Sequence, residues 1–401
     1  VKMHRPQHFT TPVIRTNRRF LSVWTAAALA LMGIVAPLRA QSSPNDVARL
    51  LAGMPATSSS TLKDVMEAPA WKTHAEEFDR AWRTLEAERL PAMRRFQTTE
   101  LSSPRNRERV MLYPFGGPDV LNALTLFPDN PTYILIGLEP IGTLPDATVL
   151  RTDLDRLLGS TRESLSSLFQ RSFFITREMD RSLRGQKFNG VLPDILVQLV
   201  RMDAEILGVA PVQVAEGGVL APWDRANVGA KAIRNRGIEI IFRRAGHTAP
   251  QRLYFFSVNL GPKLNGNRAF LTYLDRTAPF VTFFKATSYM PHHKGFRTIR
   301  KKVLETSELI LQDDSGIPFS YYQTPEWMVQ LYGEYDKPYG SFQYLEQEDL
   351  QKAYAVPGAA KKLEFRIGYG FSRIPSNLLL ARRKPLNGGA AHSASPAAAS
   401  R

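Results

Sequence analysis

Cysteine is absent from all 401 residues. That excludes disulfides, thiolate metal sites, a cysteine nucleophile and a lipid-modified cysteine anchor. No Walker A loop, G-x-S-x-G elbow or H-E-x-x-H helix occurs either. Three common local signatures of phosphate binding, serine hydrolysis and zinc chemistry are therefore missing, and no metal or cofactor is expected. There is no dense Lys/Arg stripe interleaved with aromatics, so nucleic acid is not an expected partner. No internal repeat at a fixed period is visible.

What is present begins with an unusual first 40 residues. Lys2, Arg5, Arg15, Arg18 and Arg19 form a basic start, and Phe20 to Leu38 then runs without a charge. Leu38-Arg39-Ala40 resembles a small-residue cleavage site. This is the layout of a bacterial export signal cut near Ala40, with a periplasmic or secreted product. The competing reading is an uncleaved membrane anchor. Arg18-Arg19-Phe20-Leu21 also resembles a twin-arginine signal with one spacer residue missing. Six of the basic residues lie in this segment, so the formal charge of +15 falls to +9 for the remainder. A basic, exported chain favours anionic partners such as phosphate, acidic glycan or a membrane surface. Hydrophobic residues make up 43% of the chain, enough for a sizeable core.

Composition divides the rest. Residues 41–67 are rich in Ser, Thr, Ala and Pro and read as a linker, with room for a short helix over 46–54. Residues 68–383 read as a single large domain, and 384–401 as a disordered tail. Trp71, Ala75, Phe78, Trp82 and Leu85 recur at helical steps and predict a helix from Pro69 that Pro91 ends or kinks. His74 among polar neighbours is expected to be exposed. Helices are also expected over 151–183 and 192–207, so that 150–207 could form a helical insertion. A long loop is expected over 208–229. The alternating runs at 237–244 and 252–260 predict a hairpin. Further expectations are a helix at 267–276, a strand at 280–290 with Lys285 in its middle, a helix at 294–311 and a last strand at 362–371. Helices interleaved with strands give an α/β (or α+β) class with a mixed sheet flanked by helices.

The stretch from Arg109 to Gly142 is the clearest candidate for a site. Its order of strand, tight loop, helix and strand forms a Rossmann-like opening unit, with an acidic residue after each strand. Gly116 and Gly117 permit a sharp turn, and free amides of the following helix could cradle an anion. Asp119 and Glu139 then stand where ligands gather in open α/β sheets. His292 and His293 follow another predicted strand and suit acid/base work near neutral pH. Tyr289, Asp313 and Asp314 are candidate ligand contacts. Nine aromatics between Phe319 and Tyr344, Trp327 among them, could stack on a sugar. Each has a plainer reading: Asp119 as a helix cap, the histidines in a surface loop, Asp313 and Asp314 in a turn, the aromatics as core. Lys285 must find a carboxylate, reach solvent or shift its pKa.

YPFGGPD, GLEPIG, KATSYM and QDDSGIP resemble segments of an uncharacterised family of exported bacterial proteins. The resemblance would span roughly Trp71 to Phe371 and implies no activity. The leading expectation is a cell-envelope protein that binds a glycan or other anionic small molecule in a cleft at the strand ends. The alternative is an exported α/β hydrolase or transferase using Asp119, Glu139 and His292 or His293.

Overall fold

The computed structural model describes residues 42–171, 189–223, 235–371 and 375–385. The expected export signal, residues 172–188 of the expected helix over 151–183 and of the stretch beyond it, part of the expected long loop, and the tail after residue 385 lie outside these.

Eleven strands form one mixed sheet among the described residues. They are β1 (Val110–Tyr113), β2 (Thr132–Gly137), β3 (Ala204–Val214), β4 (Leu220–Pro222), β5 (Arg236–Arg244), β6 (Gln251–Ser257), β7 (Phe280–Phe284), β8 (Ser307–Gln312), β9 (Trp327–Gly333), β10 (Ala360–Lys361) and β11 (Asn377–Arg383). Their spatial order is β10-β9-β11-β8-β7-β1-β2-β6-β5-β3-β4. The five central strands, β8-β7-β1-β2-β6, are mutually parallel. Antiparallel pairs flank them on both sides. This is an α/β fold with helices on both faces. Parallel strands covered on two faces are apolar throughout, which is why VMLY and TYILIG carry no alternation of polar residues.

Successive side chains divide between two cores. Met111, Tyr113, Tyr133, Leu135, Val281 and Phe283 face one side. There they meet the helices Pro44–Leu51, Pro69–Glu88, Leu90–Phe96, Val120–Leu126 and Leu192–Arg201. Leu112, Ile134, Ile136, Phe284 and Ile310 face the other side. There they meet the helices Arg268–Thr277, Arg297–Thr306 and Glu348–Ala355. None of the described helices is long and apolar enough to cross a membrane.

Several expectations are corrected. The segment read as a linker is built into the core: Ser43 caps the Pro44–Leu51 helix at the Asp46 amide, and Val47, Leu50 and Leu51 are buried. Its Ser/Thr-rich surroundings hid an apolar face of only three or four residues. His74 is fully buried, with Nε2 2.8 Å from the Leu51 carbonyl and Nδ1 3.0 Å from the Arg162 guanidinium. Burial pulls its pKa down to about 4. The helix expected over 192–207 stops at Arg201, and Asp203 in a left-handed conformation (φ 59°) turns the chain into β3, inside the expected long loop. Of the described residues in the 150–207 stretch, Leu157, Leu165, Ile195 and Leu199 pack into the same core. The helix expected over 294–311 runs only from Arg297 to Thr306 and hands over to β8. Among the described residues the last strand is β11, not 362–371.

Candidate functional site

Parallel strands bring distant loops to one edge, and here the carboxyl ends of β1, β7 and β8 are neighbours. Asp119 follows β1, Lys285 is the first residue after β7, and Asp313 and Asp314 are the first two after β8. β7 ends at Phe284, so Lys285 is not in mid-strand as expected but at this edge. Its ammonium meets the Asp119 carboxylate at 2.6 Å, with both side chains only 2% exposed.

The Asp119 carboxylate is saturated. Tyr113 donates its hydroxyl to Oδ2 at 2.8 Å, and the Asn122 side-chain amide donates to Oδ1 at 2.8 Å and to Oδ2 at 3.1 Å. The Asn122 backbone amide also donates to Oδ1, at 3.2 Å, so the capping role and the charge-pairing role coexist. Asp313 accepts from the Ala286 amide at 2.8 Å, the Ser315 amide at 3.1 Å and the Ser315 hydroxyl at 2.5 Å. Asp314 accepts from the Tyr289 hydroxyl and, at 3.0 Å, from Asn377.

Burial dominates the electrostatics. It lowers the Lys285 pKa against the opposing pull of Asp119, and raises that of Asp313 against its hydrogen bonds and Lys285. Asp314 is pushed up to about 7, by burial first and by the Asp313 charge second. Two adjacent buried carboxyls do not ionise together readily. Groups shifted in this way collect at functional sites.

The loop after β7 is strained. Ala286, Ser288 and Tyr289 all adopt φ near +50°, a region costing non-glycine residues about 1–2 kcal/mol each. Three successive amides hold it there: Ala286 to Asp313, Thr287 to the Ser315 hydroxyl at 2.9 Å, and Ser288 to the Tyr369 hydroxyl at 3.0 Å. Tyr369 lies parallel to Tyr289 at 6.0 Å and to Tyr339 at 5.2 Å, roofing the network. Gly368 (φ +58°) passes so close that a Cβ there would sit 2.2 Å from Asp313 Oδ2.

Other candidates fall differently. Glu139 follows β2 and its carboxylate lies against Gly117 and Gly137, where a Cβ on Gly137 would be 2.1 Å from Oε2. The amides beside Gly116 and Gly117 are already used. Gly117 donates to the Ile136 carbonyl, Leu121 to the Gln198 side chain and Asn122 to Asp119, so the anion cradle expected at this turn is filled by the protein itself. His292 Nε2 lies 3.3 Å from the Asp314 carbonyl oxygen, and burial pulls its pKa down to about 4. It is a neutral partner of the Asp314 loop near pH 7. His293 is exposed. Trp327 is remote from the network: it lies in β9, beneath Arg383 at 4.6 Å and edge-on to Tyr322. The aromatic stretch is not one surface, since Tyr322, Trp327, Tyr332 and Tyr335 are buried while Tyr321 and Tyr344 are exposed.

A cleft of about 1210 Å³ opens at this same edge, over the ends of β9 and β11. The C-terminal end of the Pro69–Glu88 helix, Phe169, Gly333, Phe371 and Ser376 line it. At its wall stands Arg89, which feels the Asp119 charge and opposes that of Lys285. Arg89, Asn377 and Tyr369 had no local signal in the sequence. No family model matches the chain, and neither a curated protein nor a solved structure matches it.

Proposed function

We propose that the protein binds a small polar ligand, a glycan or another anionic molecule, in the cleft at the carboxyl edge of its parallel strands. One observation carries this reading: a desolvated network of Lys285, Asp119, Asp313 and Asp314, drawn from the ends of three neighbouring strands, beside an open cleft. A buried ion pair is weak as a stabilising device, because desolvation offsets most of the attraction. A strained, fully hydrogen-bonded loop beside it has the character of a site kept for binding. In open α/β sheets this edge is where ligands are held. The basic, then apolar first 40 residues support an exported, periplasmic or secreted location, where glycans and carboxylates are available ligands.

The reading is tested by thermal shift of the purified protein against panels of neutral glycans, acidic glycans and small carboxylates. A saturable rise in Tm is expected for at least one class, and Thr84→Trp, which fills the cleft from an exposed helix position, is expected to abolish it. Export is tested by N-terminal sequencing of protein expressed in a bacterial host, with Gln41 as the expected first residue.

A second reading, an acid/base enzyme, is favoured by Asp314 alone, whose pKa near 7 suits proton transfer at neutral pH. It would use Asp313 and Asp314 in place of the histidines. Asp314→Asn would then abolish turnover on a ligand found by the panels, with Tm changed by only a few degrees.

A further inference from the structure

Among the described residues that line the cleft, Arg89 is the one with buried side-chain donors left without a partner. It is 4% exposed and donates Nη1 to the Leu168 carbonyl at 3.1 Å. Its Nε and Nη2 groups are buried and have no hydrogen-bond partner. An arginine in that state gives up hydration at both groups without replacement. Nearby groups do not repair this. Asp119, the acid whose charge it feels, already accepts from Lys285, Tyr113 and Asn122. The Phe371 ring stands 5.5 Å from the guanidinium and offers only its π face.

The geometry of the two open donors is selective. Nε–H and the adjacent Nη2–H lie on one edge of the planar guanidinium and point the same way, the fork that meets two oxygens of a carboxylate. The rim cancels in sign: Lys361, Lys362 and Arg366 face Glu88, Glu334 and Glu364 among the lining residues. Arg89 therefore sets the charge preference of the cleft. Phe169, Phe365, Phe371 and Leu85 supply apolar wall beside it.

Resting on the reading of this cleft as the binding site, we propose that its ligand is a carboxylate with an aromatic or apolar body, gripped side-on by Arg89. Burial pulls the Arg89 pKa down to about 10 against the opposing pull of Asp119, which leaves it a cation at neutral pH.

The test uses the full chain and a matched pair of probes, phenylacetate and neutral phenylacetamide, titrated by calorimetry at fixed ionic strength. Arg89→Met and Arg89→Lys are the variants. The wild type is expected to bind the acid at least tenfold more tightly than the amide. Arg89→Met is expected to lose that preference, and Arg89→Lys to recover only part of it, since lysine lacks the fork. Arg89→Met is also expected to be at least as thermostable as the wild type, because it removes an incompletely bonded buried charge. Equal binding of acid and amide by wild type and Arg89→Met would overturn the anion anchor while leaving the cleft as a binding site. Absence of acid binding by the wild type, together with a marked fall in the Tm of Arg89→Met, would overturn the proposal and make Arg89 structural. The glycan and carboxylate panels would then still decide the cleft by themselves.

Discussion

The same central strands carry two clusters of charge, one at each edge of the sheet. At the amino edge Glu308 of β8 accepts from Arg105 at 2.6 Å and from Arg109 at 2.9 Å, with side chains 18–57% exposed. At the carboxyl edge Lys285 meets Asp119 at 2.6 Å with both side chains 2% exposed. The distances are alike and the physics is not. Solvated pairs gain little because water competes for both partners. The sealed pair is held by a large attraction set against a large desolvation penalty, so removing one partner strands the other. The amino-edge cluster can be lost cheaply. The carboxyl-edge cluster cannot, and evolution toward stability alone would have favoured apolar residues there. That asymmetry is the physical reason to place function at the carboxyl edge.

The sharpest way to break the comparison is Lys285→Met. Asp119 and Asp313 would remain buried without their cation, and a loss of about 3–5 kcal/mol is expected in urea unfolding. A loss below about 1 kcal/mol would put both edges in the same class. Gly368→Ala comes next. The position needs φ of +58°, and the added methyl would drive into Asp313 Oδ2. About 2–3 kcal/mol should be lost by the same measurement. Glu308→Gln should cost less than about 1 kcal/mol, and that cost should shrink further in 0.5 M salt.

A pH prediction separates the network from a buried acid elsewhere. Asp194, at the start of the Leu192–Arg201 helix, accepts from Ser164 at 2.7 Å, and its Oδ2 is buried without a hydrogen-bond partner. Burial pushes its pKa up to about 7. A carboxyl raised in the folded state binds its proton more tightly there than in the unfolded chain. Its contribution is present below about pH 4 and is lost as pH rises through about 7. Asp314 acts in the same direction. His74, with its pKa lowered to about 4, acts oppositely: its contribution is present above about pH 6.5 and is lost as pH falls toward 4. Asp194→Asn should therefore raise Tm at pH 8 relative to the wild type and raise it less at pH 5. Equal effects at both pH values would show that Asp194 is ionised throughout.

Much of this architecture could be read from the sequence, and the failures have physical causes. VMLY, TYILIG and the 237–260 hairpin are apolar runs bounded by clear turns, so they were legible as strands. β8 and the start of β3 were not, because no glycine or proline separates them from the helix before, and the rest of β3 carries Gly208 and Pro211 and reads as a loop. β11 lies beyond 362–371, the segment expected to be the last strand. At the site, Asp119 was legible because an acid after a strand marks an edge, and Asp313 and Asp314 as a paired acidic turn, although the strand before them was not. The partnership of Asp119 with Lys285 spans 166 positions and has no local trace. Arg89 ends a helix among charged neighbours and reads as exposed, whereas packing against Leu168 and Phe371 seals it. His292 was legible as a position, whereas the burial that lowers its pKa has no local trace.

A second groove, lined by Tyr321, Trp327, Arg300 and Arg383, competes with the carboxyl-edge cleft as the place that holds the ligand. The most direct measurement is the ligand-induced thermal shift of three proteins in parallel: wild type, Thr84→Trp in the cleft and Tyr321→Ala in the groove. The expected result is a shift of several degrees with an anionic ligand in wild type and Tyr321→Ala, and none in Thr84→Trp. A shift that survives in Thr84→Trp and disappears in Tyr321→Ala would contradict it.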